Sequence, residues 1–237
     1  MKERKCPFLE TKTVTFCRAF PSKMIPVDRM SSEESLCTSC DYVECSLYSE
    51  VVNAGKGMEN VRGFHLQSDG YYYHPKHLWV APCAGEEGEA RVGIDDFSAR
   101  LIGKVDRATL PAAGTPVKEN SVCCLLHSGR RTVRLVSPAD GVIQAVNPRV
   151  AADPAILNED PYTEGWIFSI RLKRDAVKGL YHETVARKWF ECEVERLHRM
   201  FSSDLGMTAT DGGEALPDFS GRLNEALWGK IVSQFLG

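Results

Sequence analysis

A chain of 237 residues has room for one generous domain or for two or three small ones. Its 43% hydrophobic and 26% charged residues are the balance of an ordinary globular protein. A formal net charge of −3 argues against a nucleic-acid surface or a membrane-binding face.

The start, MKERKCPFLETK, has a basic beginning with no apolar run after it, and therefore does not read as a signal peptide. The greasiest short window, SVCCLL, is far below the length needed to cross a bilayer. A soluble, cytoplasmic protein is expected, with neither nucleic acid nor membrane among its partners. In chain order, residues 1–50 come first, rich in cysteine and poor in long apolar runs, so they cannot build a large core alone. Of nine cysteines, Cys6, Cys17, Cys37, Cys40 and Cys45 fall in this segment. In a reducing compartment such a cluster points to metal before disulfides.

Thiolates suit tetrahedral zinc or a [4Fe–4S] cluster, and both usually take four ligands. The spacing favours Cys6, Cys17, Cys37 and Cys45 as ligands, with Cys40 the fifth and weakest candidate. Two alternatives stay open: a redox dithiol at Cys37 and Cys40, or small residues with no ligand role. A segment this poor in apolar runs needs a staple to be ordered, which is the physical case for metal.

Residues 51–66, including NAGKGMENVRG, read as a linker. From 67 to 172 short strands alternate with turn signals, as in YYYHPKHLWVAP, EARVGIDD, TVRLVSP, GVIQAVNP and GWIFSIRL. That spacing suggests a small β barrel or sandwich. The fold class is therefore mainly β with a helical C-terminal extension. Within the strands, Cys123 or Cys124 is expected in the core, Cys83 in a turn, and His127 at the surface.

Residues 173–237 read as two helices. In the first, Phe190, Val194, Leu197, Phe201 and Leu205 form one apolar stripe, Glu195 and Arg199 form an i, i+4 pair, and Gly206 is the stop. After TATDGGEALPD the second helix is expected to start at Pro217, with Leu223, Leu227, Ile231 and Phe235 as its stripe. Such stripes cover the β domain or each other, or they dock a partner. No phosphate loop, dinucleotide fingerprint, GxSxG elbow or HExxH spacing occurs.

The blocks YYYHPKHLWV, VGIDDFSARLIGKVDRATLPAAGTPVKEN, SPADGVIQAVNP and NEDPYTEGWIFSIRL together resemble the glycine cleavage H proteins, of the biotinyl/lipoyl-domain superfamily. The resemblance spans about residues 70–172. It implies a lipoyl-domain-like flattened barrel of two small sheets, in which one hairpin presents a lysine acylated by lipoic acid. In the family that lysine stands eight residues before the proline of the following Ser-Pro turn. Counting back from Pro138 along HSGRRTVRLVSP gives Arg130.

A lysine amine, with a pKa near ~10.4, can lose its proton and attack an activated acyl group. A guanidinium stays protonated at any physiological pH. Lys104 and Lys118 belong to earlier segments. No lipoate is therefore expected. Arg130, Arg131 and Arg134 are either a solvated hairpin tip or a basic knob for an acidic partner or phosphate.

Three functions follow. The first is a non-lipoylated H-protein-like module that binds or adapts protein partners through the β domain or the C-terminal helices, with no catalytic activity of its own. The second is an iron–sulfur electron-transfer or redox-sensing protein. The third is a genuine lipoyl carrier of the glycine cleavage system. Fold alone does not choose among them.

Overall fold

In a chain with this alternation of apolar and polar residues, strands bury every second side chain and pair into sheets with one dry face. The computed structural model describes residues 57–83, 88–173, 176–205 and 220–237. All of these belong to one compact unit, Gly57–Gly237.

Strands β1 (Met58–Val61) and β2 (Phe64–Gln67) form an antiparallel hairpin of their own. A seven-stranded antiparallel sheet has the order β12-β3-β4-β5-β11-β10-β7. Its members are β3 (Tyr72–His74), β4 (Leu78–Pro82), β5 (Glu89–Ile94), β7 (Pro116–Val117), β10 (Gly141–Val146), β11 (Trp166–Leu172) and β12 (Tyr181–His182). The second sheet, β6-β8-β9, comprises β6 (Arg107–Thr109), β8 (Val122–Ser128) and β9 (Arg131–Val136). The mainly β fold with a helical C-terminal region is thus as expected, although one of the two sheets is larger than the resemblance implied.

The hairpin β1–β2 lies inside the stretch read as linker. Its turn, Arg62–Gly63, has positive φ at both residues, the geometry that matches strand twist, and Asn60 Oδ1 accepts from Gly63 N at 3.0 Å. Val61, Phe64 and Leu66 are buried with His65 exposed between the last two. That alternation marks a strand, and the glycines around it mask the signal.

Among the described residues five α-helices complete the unit. Helix α1 (Asp96–Ile102) is capped by Asp95, whose side chain accepts from Ser98 N at 2.8 Å. Two short helices follow, α2 (Pro148–Ala152) and α3 (Ile156–Glu159). The C-terminal pair is α4 (Glu183–Leu205) and α5 (Glu225–Phe235).

The expected stripe of α4 puts Phe190, Val194 and Leu197 in the core and Phe201 at its margin. Glu195 pairs with Arg62 of the β1–β2 turn at 2.7 Å, not with Arg199 as expected, because the tertiary partner lies within reach. The second helix begins at Glu225 and not at Pro217: Asn224 caps it by accepting from Leu227 N at 2.9 Å, and a 3-10 turn, Ser220–Arg222, precedes it. Pro217 and Gly206 lie outside the described residues. Leu223, Ile231 and Phe235 of the expected stripe are buried, and Trp228 joins them. Both helices share one core with the sheets. Phe64, Tyr73, Trp79, Phe97, Phe168, Phe190 and Phe235 are its largest fully buried side chains.

Candidate docking site at the hairpin apex

β8 and β9 pair from Val122↔Val136 to Ser128↔Arg131, which leaves Gly129 and Arg130 as the two turn residues. Gly129 has φ +60, a conformation open to glycine, and its N–H donates to Asp106 Oδ2 at 2.6 Å. Arg130 is the exposed apex, and among the described residues its guanidinium has no hydrogen-bond or ion-pair partner. The position that the family resemblance assigns to the lipoyl-lysine is therefore the tip of a tight turn. At the other end of the hairpin the register slips between Val122 and Cys124. Cys124 is buried in the core, and burial pushes the Cys123 thiol up to about 12, so neither is a ready thiolate.

The three arginines do not form one knob. Alternation along β9 exposes Thr132 and Arg134 on one face and turns Arg131, Val133 and Leu135 toward the other. Arg131 is only 14% exposed. It donates to Ser220 O at 2.8 Å, to Leu223 O at 2.6 Å and to Glu225 Oε1 at 3.1 Å, and it lies 4.9 Å over the Trp228 ring. Its fork caps carbonyls of the 3-10 turn in the way a C-terminal cation does. Nothing in the spacing HSGRR separates the outward arginine from the inward one; only strand parity and the location of α5 do.

Lys104 is closer to the apex in space than in sequence. It follows Gly103, where an ideal Cβ would lie 3.6 Å from Ser128 Oγ. Lys104 is exposed in the α1–β6 loop and lines a cleft of about 700 Å³ with His65, Asp96, Arg100, Asn158 and Tyr162. The polar groups of this cleft brace the fold. Arg100 pairs with Asp96 at 2.9 Å, Tyr162 donates to His65 O at 2.7 Å, and the Asn158 amide donates to Ala99 O and Gly103 O, both at 2.9 Å.

A second basic side chain, His77, faces α4 from the β domain, and sequence reading missed it. His77 and Asp95 are both 0% exposed, with Nδ1 and Oδ2 2.8 Å apart. Nε2 stands 3.7 Å from Glu193 Oε2, an ion-pair distance beyond hydrogen-bond reach. The imidazole stacks on Phe97 at 4.1 Å and lies 4.8 Å from the Trp189 ring.

Burial opposes the charge on His77, yet Asp95, by charge and hydrogen bond, and then Glu193 hold its pKa above the ordinary 6.5. Burial likewise works against Glu193, but His77 and Arg196 hold its carboxyl below the usual range. The available signal was the pair HLWV and IDDFS, a histidine opening a strand and a helix cap. Neither says the two would meet.

Among the described residues no group of three or more His, Cys, Asp or Glu side chains is placed to hold a metal, and no helix is long and apolar enough to cross a membrane. Cys6, Cys17, Cys37, Cys40 and Cys45 lie outside the described residues.

The family model for the glycine cleavage H-protein matches residues 71–193. The glycine cleavage system H protein of Micrococcus luteus is 34% identical over 113 residues, covering 47% of this chain and 88% of that protein. The H protein of an Enterobacter species is 35% identical over 122 residues, covering 51% and 93%. A crystal structure of a glycine cleavage system H protein from Mycobacterium marinum aligns at 28% identity and a TM-score of 0.44, covering 58% of this chain and 98% of that one. The matched stretch contains the whole apex hairpin, the seven- and three-stranded sheets and the first half of the Glu183–Leu205 helix up to Glu193, and on it the chain belongs to the glycine cleavage H-protein family.

Proposed function

We propose that this chain is a non-lipoylated H-protein-like module that works as a binding or adaptor protein. The observation that carries this reading is Arg130 at the exposed apex of the β8–β9 turn. Amide formation with an activated acyl group needs a neutral amine as nucleophile, and a guanidinium does not supply one. Without the prosthetic arm the domain keeps its shape as a surface for protein partners. Proteins similar to it are named as components of the glycine cleavage system, and protein partners of that kind are the ones such a surface would meet.

The test is intact-mass analysis after co-expression with a lipoyl ligase. The expected mass is that of the unmodified chain. A lipoyl adduct on any lysine, Lys104 included, would restore the carrier reading and end this one.

The clustering of Cys6, Cys17, Cys37, Cys40 and Cys45 favours a companion reading, in which four of these thiolates hold zinc or a [4Fe–4S] cluster. Anaerobic purification with metal analysis and a visible spectrum tests it. Iron with cluster absorbance would move the whole protein toward electron transfer or redox sensing. One equivalent of zinc would leave the adaptor reading in place, and no metal would remove the site.

A further inference from the structure

Residues 220–237 lie beyond the stretch 71–193 that matches the family, yet they are seated on the H-like domain beside the apex of its hairpin. Trp228 Nε1 donates to Leu101 O of α1 at 3.1 Å, and the Phe235 ring lies 5.1 Å from that of Phe97. Arg196 of α4 donates to Gln234 O at 3.0 Å and stands over the Phe235 ring at 4.5 Å. Beside the apex the seating is tightest. At Gly103, with φ +82, an added Cβ would come within 2.2 Å of Ser220 Oγ while also facing Ser128, the last residue of β8. The loop after α1, the start of the C-terminal segment and the hairpin therefore meet in the width of one side chain.

These ties run through side chains, and the ones nearest the apex converge on Arg131. Its two bonds to carbonyls and its stacking on Trp228 hold the first turn of α5, whereas its carboxylate partner, Glu225, is 74% exposed. By contrast the centre of the domain, β4-β5-β11-β10, is joined by continuous backbone ladders. Leu223, Trp228, Ile231 and Phe235 sit in the shared core. What sets this segment apart is that, among the described residues, no backbone hydrogen bond joins it to the sheets. Elements held by side-chain contacts alone open at lower free energy than sheet centres.

We propose that Ser220–Gly237 is a displaceable cap on the face made by α1 and the apex end of the β8–β9 hairpin, with Arg131 as its latch. A partner that engages the hairpin from this side competes with the chain's own helix. The occupant that fits in its place is a polypeptide with the same features. It is an amphipathic helix with an aromatic residue over Arg131, an acidic first turn, and free carbonyls just before that turn. The inference rests on the reading of this domain as a docking module, and it locates the surface.

Hydrogen exchange followed by mass spectrometry on the full chain tests the cap without any partner. In the unmodified chain, amides of Glu225–Phe235 are expected to exchange at least about tenfold faster than those of β5 and β11. In Arg131→Ala, exchange across Glu225–Phe235 and Asp96–Ile102 rises by about a further tenfold or more, while β5 and β11 are unchanged. Equal protection of α5 and the central strands in the unmodified chain overturns the proposal, because the segment is then part of the cooperative core. An Arg131→Ala variant whose α5 is as protected as before overturns the latch. A variant that loses protection everywhere does the same. A lipoyl adduct in the mass experiment would sink the adaptor reading and leave these exchange results standing.

Discussion

Each C-terminal helix is held by a basic side chain of the β domain, and the two attachments differ in how dry they are. At α4 it is the imidazole of His77, wholly buried between Asp95 and Glu193 and walled by Phe97 and Trp189. At α5 it is Arg131, itself partly exposed, whose carboxylate partner faces water. A charge in a dry site makes strong interactions and is costly to leave unpaired, whereas one at the margin is screened and exchangeable. Both helices bury apolar residues in the shared core, but the polar tie of the first is dry and that of the second is open to water.

The largest effect is expected from breaking the dry site. His77→Leu leaves the Asp95 carboxylate buried without its partner and should cost about 3–5 kcal/mol in urea unfolding. Adding Asp95→Asn should recover part of that loss, because the two residues act as one unit. A single variant within about 1 kcal/mol of the parent would mean that the pair contributes little.

At the margin, Arg131→Lys keeps a charge but loses the planar fork that reaches two carbonyls and stacks on Trp228. The expected loss is about 1–2 kcal/mol, confined to α5 and read from local exchange. A uniform loss across the domain would erase the distinction between the two attachments.

The pH dependence separates the sites further. The folded-state pKa of His77 is raised, so its contribution is fully present below about 6.5 and is lost as pH rises through the folded value. His74 behaves in the opposite way. Burial and then Lys76 lower it to about 4, so the folded state excludes its proton. Stability from this group is present above about 6.5 and falls as pH drops toward 4. Urea midpoints should therefore peak between slightly acid and neutral pH. The alkaline limb should flatten in His77→Leu, and an unchanged alkaline limb would assign that slope to another group.

The smallest change is expected at the apex itself. Arg130→Ala removes an exposed turn side chain with no partner among the described residues, and stability should stay within about 0.5 kcal/mol of the parent by thermal melting. A larger loss would show that the apex, like its neighbour Arg131, serves the fold.

Several elements were legible before any coordinates. The strand blocks from YYYH to FSIRL are visible because apolar alternation and turn residues are local properties. The stripe Phe190, Val194, Leu197 is visible for the same reason, as is the arginine eight residues before Pro138. The β1–β2 hairpin was not, since two short strands flanked by glycines look like a linker unless their buried face is known. Nor was the start of α5, because a proline reads as a first helical residue, whereas the helix begins after the Asn224 cap with Trp228 and Leu223 packed against the domain.

The sequence by itself determined the β class, the helical tail, the family resemblance and the chemical character of the apex residue, since each depends on residue type and near-neighbour spacing. Tertiary structure decided which of two adjacent arginines faces water, and that His77, Asp95 and Glu193 share one buried site. It also decided that the last helix lies beside the apex. Those outcomes depend on contacts between residues up to about a hundred positions apart, such as Arg131 with Leu223 and His77 with Glu193, and no local periodicity encodes distance across a folded chain.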